Sequence, residues 1–150
     1  MELSDLYSEK ILDLAGNAPQ PGRLAGPDAS ARKVSRVCGS LIEVDVVVRN
    51  GIITAYGHDV SACALGQTSA AIVAQQIVGT PVADFVEVRD AMQAMLKGKG
   101  VPPTGRWDDL KYLEPVRHYP NRHMSTMLVF DAVVAALEKI ESQQAVAAAG

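Results

Sequence analysis

Cysteine is scarce in this chain: Cys38 and Cys63 are the only two among 150 residues. A chain of this length buries a core without disulfide staples, so the pair reads first as free thiols, redox partners or metal ligands. Long apolar runs are missing, and none approaches the roughly 20 residues that span a bilayer. The opening residues, Met1 to Asp5, lack the charged-then-apolar layout of a secretion signal. The expected compartment is therefore the cytoplasm, where thiols stay reduced. No basic block or cationic helix occurs, and the net charge is only −3, which argues against a nucleic-acid or membrane partner. Gly-rich phosphate loops, Gly-x-Ser-x-Gly and His-Glu-x-x-His are absent. The cysteine spacing matches neither a zinc finger nor Cys-x-x-Cys. No internal repeat is present.

What remains is the composition of one ordinary domain over residues 1–150, with 48% apolar and 21% charged residues. Its ends, 1–3 and 143–150, are expected to fray. Leu3, Tyr7, Ile11 and Leu14 repeat at helical spacing and Gly16 fits a stop, which predicts a helix over 4–15. Asn17 to Asp28 carries Pro19, Pro21, Pro27, Gly22 and Gly26 and reads as a connector laid over the surface. Strands are expected at Val34–Cys38, Leu41–Val48 and Ile52–Gly57. In the second, Ile42, Val44, Val46 and Val48 share one face while Glu43 and Asp45 share the other, so one face is expected buried and one wet. Asn50-Gly51 is a strong hairpin signal. The fold expected is α+β, a three-stranded antiparallel sheet packed by helices.

A helix capped near Ser61 should run to Val78, with Gly66, Ser69, Ala70 and Ala71 small enough to let it lie close to the sheet. Thr80 and Pro81 are expected to open the next helix, whose stripe of Val88, Met92, Met95 and Leu96 ends at Gly98. After a Gly/Pro loop, Trp107 to Leu113 restart packing, 116–120 connects, and a last helix from about Asn121 buries Met127, Phe130, Val134, Leu137 and Ile140.

The hairpin would carry the chain back towards Cys38, so the thiols of Cys38 and Cys63 can meet although 63 − 38 = 25 residues separate them. Cys63 falls near the start of a helix, where backbone N–H groups lack partners and the dipole is positive. That is the setting in which proteins favour the thiolate that metals and electrophiles need. The inert alternative is a small buried hydrophobe. A Cys–His nucleophile pair using His58, His118 or His123 has no local support, and each histidine reads as a surface or loop residue. Glu43 and Asp45 read as solubility charges. From the residues alone, the chain is an α+β domain with a two-thiol pocket suited to a metal or an iron–sulfur unit.

Several stretches, taken in order, resemble the iron–sulfur cluster assembly scaffold family, the NifU N-terminal type that includes IscU and SufU. Tyr7 to Asp13 followed by Asn17 to Gly22 looks like its first helix and connector. Cys38-Gly39 looks like its Cys-Gly-Asp. Asn50-Gly51 falls at its hairpin, and Cys63-Ala64-Leu65 with Ser69-Ala70 resembles its Gly-Cys-Ala-Ile…Ser-Ala helix start. Val116 to Arg122 resembles its Val-Arg-x-Phe-Pro-x-Arg lead into the last helix.

The resemblance implies a protein that receives iron and sulfur, builds a cluster and passes it on, a carrier and not an enzyme. It implies a cysteine desulfurase and cluster-accepting proteins as partners, and an iron–sulfur cluster, expected to be [2Fe–2S], or iron alone as the bound group. Three positions depart from the family pattern. Its Asp falls on Ser40, its third cysteine on Ser125, and the residue before that, often His or Lys, on Met124. Cys38 and Cys63 remain as the expected cluster and metal ligands, with Ser40, Ser125 and His123 as weaker candidates. Zinc, the alternative metal, needs four donors in a closed site, and a [2Fe–2S] cluster about as many. A homodimer sharing one cluster restores four thiolates, His123 or His58 would fill an open position, or the metal site is lost and a scaffold-like binding module remains. A persulfide-transfer role for Cys38 or Cys63 is the alternative function.

Overall fold

Asn50 and Gly51 both take positive φ, 54° and 76°. This suits a type I′ turn, whose twist matches that of the strands it joins. In the computed structural model, which describes residues 6–19, 21–36 and 39–149, that turn links β2 (Ser40–Arg49) to β3 (Ile52–Ser61). β1 (Ala29–Ser35) pairs along the other edge of β2, so the sheet is antiparallel in the order β1-β2-β3. Between the pairs Val47↔Ala55 and Val48↔Ile53 the register shifts, which leaves Thr54 as the extra residue of a bulge.

The first strand starts five residues before the expected Val34 and stops at Ser35. Its buried positions, Ala29 and Ala31, lie opposite Val46 and Val44. Alanine is too weak an apolar signal to announce a strand, so the pattern passed as connector. Cys38, expected to end this strand, lies outside the described residues. The third strand runs past Gly57 to Ser61, pairing His58 with Val44 and Val60 with Ile42.

Ile42, Val44 and Val46 are buried as expected, and α4 (His123–Ala149) packs over them and over β1. The opposite face, expected to be wet, is not wet at its centre. Asp45 is fully buried there. Arg23 donates to its carboxylate from Nε at 2.6 Å and from Nη2 at 2.9 Å. The Leu24 N–H adds a bond of 2.9 Å, and the Ser30 hydroxyl donates as well. Arg23 also reaches Glu43 at 2.9 Å. Asp45 is thus no solubility charge: the connector lies over it as a strap. A Cβ on Gly57 would stand 2.4 Å from the Gly22 carbonyl oxygen, a measure of how tightly the strap is laid down. Further on, the Asp28 carboxylate accepts from the Val48 N–H at 2.8 Å and the Asp28 N–H donates to the Val46 carbonyl.

His58 is not a surface residue either. It is buried beside Val44, with the Tyr56 hydroxyl 2.8 Å from its Nδ1 and the Pro19 carbonyl accepting from the ring.

The helices are α1 (Glu9–Gly16), α2 (Ala64–Gln76), α3 (Val82–Leu96) and α4, with 3-10 segments at Gly105–His118 and Pro120–Arg122 before α4. Ser8 caps α1, its hydroxyl accepting from the Ile11 N–H at 3.3 Å. The cap of α3 is Pro81, one residue later than expected, because the Thr80 hydroxyl is turned back to the Gln76 carbonyl at 3.1 Å. The small residues of α2 serve close packing on α1 and α4 more than on the sheet. The Thr68 hydroxyl tethers α1 through the Ile11 carbonyl at 3.2 Å. Phe85, Trp107 and Phe130 stack where α3, the long 3-10 segment and α4 meet. Among the described residues no helix is long and apolar enough to cross a membrane.

Candidate functional site

β2 begins at Ser40, α2 begins just after Cys63, and Ser125 lies in the first turn of α4. These three ends converge. Cys63 is the N-cap of α2, in extended conformation and with no side-chain capping bond. Its N–H donates to Ser40 Oγ at 3.4 Å. Its thiol donates to Ser125 Oγ at 3.6 Å. Ser40 and Ser125 are buried and Cys63 is half-buried, so Ser125 holds the sulfur and Ser40 the backbone of a cysteine that keeps some exposure. Cys63 was expected within the first turn of the helix. It sits one step earlier, where its own side chain points away from the turn and leaves the first N–H groups of α2 uncapped by it.

Two backbone features hold this arrangement. The entry to α4 is a 3-10 turn, Pro120–Arg122, which passes into α-helix at His123. The Arg122 carbonyl accepts from both Ser125 Oγ at 3.2 Å and Thr126 Oγ1 at 2.9 Å, which fixes the Ser125 rotamer. On the facing helix, Gly66 has no side chain to hold the two first turns apart. A Cβ there would lie 2.8 Å from Ala62 Cβ and 3.3 Å from the Ser125 carbonyl oxygen.

The remaining candidates fall elsewhere. His123 puts Nε2 3.0 Å from the Val116 carbonyl, so Nε2 carries the proton and only Nδ1 keeps a free lone pair. Its ring lines a groove with Lys97 and Arg117. His58 has both ring nitrogens engaged, one by Tyr56 and one by Pro19, and burial pushes its pKa down; no lone pair is left for a metal. His118 is exposed and accepts from Arg117 Nε at 3.4 Å. Among the described residues no group of three or more His, Cys, Asp or Glu side chains is placed to hold a metal ion. The described part of the site therefore offers one thiol and two hydroxyls, short of the four donors that zinc or a [2Fe–2S] cluster takes. Nothing in the sequence reading marked Gly66 as the spacer between α2 and α4. Its signal was present, a glycine one turn into a helix, where it costs stability unless something needs the space.

The NifU-like N terminal domain family matches residues 6–146. The chain belongs to this family. A nitrogen-fixing NifU-like protein (N-terminal) from Brucella abortus shares 45% sequence identity and superposes with a TM-score of 0.91, over 93% of this chain and 97% of that one. A SUF-system protein from Fervidobacterium islandicum AW-1, described as an iron–sulfur cluster assembly scaffold, is 20% identical and has the same fold, with a TM-score of 0.82 over 91% of this chain and 99% of that one. The iron–sulfur cluster assembly scaffold protein IscU of Thermotoga maritima is 24% identical over 135 residues, 90% of this chain and 94% of its own. The NifU-like fold thus accounts for the sheet order and the helix placement. Within it, this chain carries Ser40 and Ser125 at the two positions that touch Cys63.

Proposed function

We propose that this NifU-like chain is an iron–sulfur cluster assembly scaffold in which Cys63 receives sulfur and Cys38 and Cys63 together hold the cargo. The observation that supports it best is the convergence of Ser40, Cys63 and Ser125 at the ends of three elements, in a chain whose relatives include a protein named as a scaffold of this kind. Sulfur arrives by thiol chemistry. The Cys63 thiolate attacks the terminal sulfur of a persulfide on a cysteine desulfurase, the S–S bond breaks, and the desulfurase cysteine leaves as thiolate. An electron-donor protein then supplies two electrons to the Cys63 persulfide, whose S–S bond breaks to give sulfide and the free thiolate, and iron binds that sulfide with the thiolates of Cys63 and of Cys38, which Gly39 alone separates from Ser40. The finished cluster passes to an acceptor protein.

One chain offers two thiolates, and neutral hydroxyls are poor substitutes for them on iron. Histidine adds little: His58 is fully engaged, and His123, whose Nδ1 is free, lines the groove with Lys97 and Arg117. The reading is completed by two chains that each give Cys38 and Cys63 to one [2Fe–2S] cluster across a symmetric dimer. Anaerobic reconstitution with iron and sulfide tests it. The native chain should develop visible charge-transfer bands with about one iron per chain and sediment as a dimer, while Cys38→Ser and Cys63→Ser should stay colourless.

A second reading is favoured by the Ser125 contact: a thiol beside a neutral hydroxyl is suited to carry persulfide sulfur without metal. A colourless native chain that gains sulfur mass on Cys63 after incubation with a desulfurase and cysteine would establish the carrier and end the cluster reading.

A further inference from the structure

A groove of about 640 Å³ opens where the loop after α3 meets the start of α4. Lys97 and Lys99 line it from the loop, Arg117 and His118 from the end of the long 3-10 segment, and His123 from α4. Among the described residues no acidic side chain lines it. Arg23, Arg49, Arg89 and Lys111, by contrast, each hold a carboxylate. Lys97, Lys99 and Arg117 are exposed, and among the described residues none has a carboxylate within 4.0 Å. The chain as a whole is acidic, at −3, and three of its cations line this one groove. Cations sharing so small a groove repel one another, and physiological salt, with a screening length of about 8 Å, removes only part of that repulsion.

We propose that this groove docks an acidic segment of a partner polypeptide. The charges come from two separate stretches of chain, Lys97 with Lys99 on one and Arg117 on the other, which suits several carboxylates along a strand or helix better than one small anion. Pro120, exposed, also lines the groove and offers apolar contact to a side chain that alternates with acids in such a segment. Arg117 spends Nε on His118, which leaves both terminal nitrogens to grip a carboxylate from two sides. The acidic remainder of the surface disfavours a long polyanion such as nucleic acid, which would overhang a groove of this size. His123 lies two residues before Ser125, which accepts from the Cys63 thiol, so a partner seated here lies against the first turn of α4, the turn that carries Ser125.

Binding is independent of the scaffold reading and is measured without iron, sulfide or desulfurase. Fluorescein-labelled oligoglutamate is titrated with the full chain at low salt and followed by anisotropy. The native chain should bind saturably. The double variant Lys97→Glu/Arg117→Glu should bind about tenfold more weakly or worse, and Lys97→Gln/Arg117→Gln should fall between. Lys111→Glu, which reverses a lysine outside the groove, should bind like the native chain. All these positions are exposed, so circular dichroism should be unchanged. Absence of saturable binding, equal weakening by Lys111→Glu, displacement by inorganic phosphate at matched ionic strength, or tighter capture of a single-stranded oligonucleotide would each overturn the proposal.

Discussion

Ser125 is a buried hydroxyl 3.6 Å from the Cys63 sulfur, held by the Arg122 carbonyl in a rotamer aimed at it. Exchanging oxygen for sulfur there adds little volume and supplies a third thiol to each chain. Ser125→Cys should therefore raise the iron retained per chain after anaerobic reconstitution, measured by metal and sulfide analysis. Iron content equal to the native value would show that this position does not face the cargo. Gly66 acts on the same contact from the other side. Gly66→Ala forces its Cβ against Ala62 and presses it on the Ser125 carbonyl, so Ala62 must shift and the first turn of α4 must give slightly. Overpacking of this kind costs about 1–3 kcal/mol. Urea unfolding should show the loss, and reconstitution of the folded variant should fall with it, because Ser125 moves away from Cys63.

Among the elements, the strap over the sheet has the most specific chemistry. The Arg23 guanidinium beside Asp45, aided by Ser30 and the Leu24 N–H, holds the Asp45 carboxyl down at about 2, against burial that opposes it. A carboxyl depressed in the folded state stabilises the fold above its unfolded value of about 3.8, and that contribution is lost as pH falls through the folded value. Asp45→Asn should cost about 2 kcal/mol at neutral pH. The gap between native and variant in urea unfolding should close between about pH 4 and pH 2. His58 gives a second, separate signature at the strap's Pro19 end. Burial lowers its pKa, so the folded state prefers the neutral ring. Its contribution is whole above the unfolded value of about 6.5 and drains away as pH falls below it. Hydrogen exchange in peptides covering the strap should accelerate in mildly acidic buffer for the native chain. His58→Gln, which does not titrate, should lack that acceleration.

At the scale of the whole molecule, two faces of α4 are spoken for. One closes the core through Phe130 against Phe85, and its first turn carries both Ser125 and His123. The sulfur site and the cationic groove thus share the entry to one helix. Loading with iron and sulfide should shift the native chain from monomer to dimer in sedimentation, since one chain's pair of thiolates is half of what a [2Fe–2S] unit takes. Trp107, the only tryptophan and buried in the aromatic stack, reports global unfolding in the same samples. A cluster-loaded monomer with two irons per chain would exclude sharing.

Local sequence determined the hairpin, the sheet order and the long helices. Asn50-Gly51 demands a tight turn, Ile42 to Val48 alternates at the period of a strand, and Met127 to Ile140 repeats at that of a helix; each signal lies within a few residues of chain. The order of short motifs also pointed to the NifU-like family. Only the tertiary structure decided the rest. Asp45 and His58 looked solvated because the residues that cover them, Arg23 and Pro19, come from a distant connector without apolar periodicity. The first strand was misplaced because alanines signal burial weakly. That Ser40 and Ser125 would both touch Cys63 depends on three element ends meeting in space. Their spacing along the chain carries no trace of that meeting, which is set by how close Gly66 lets α2 come to α4.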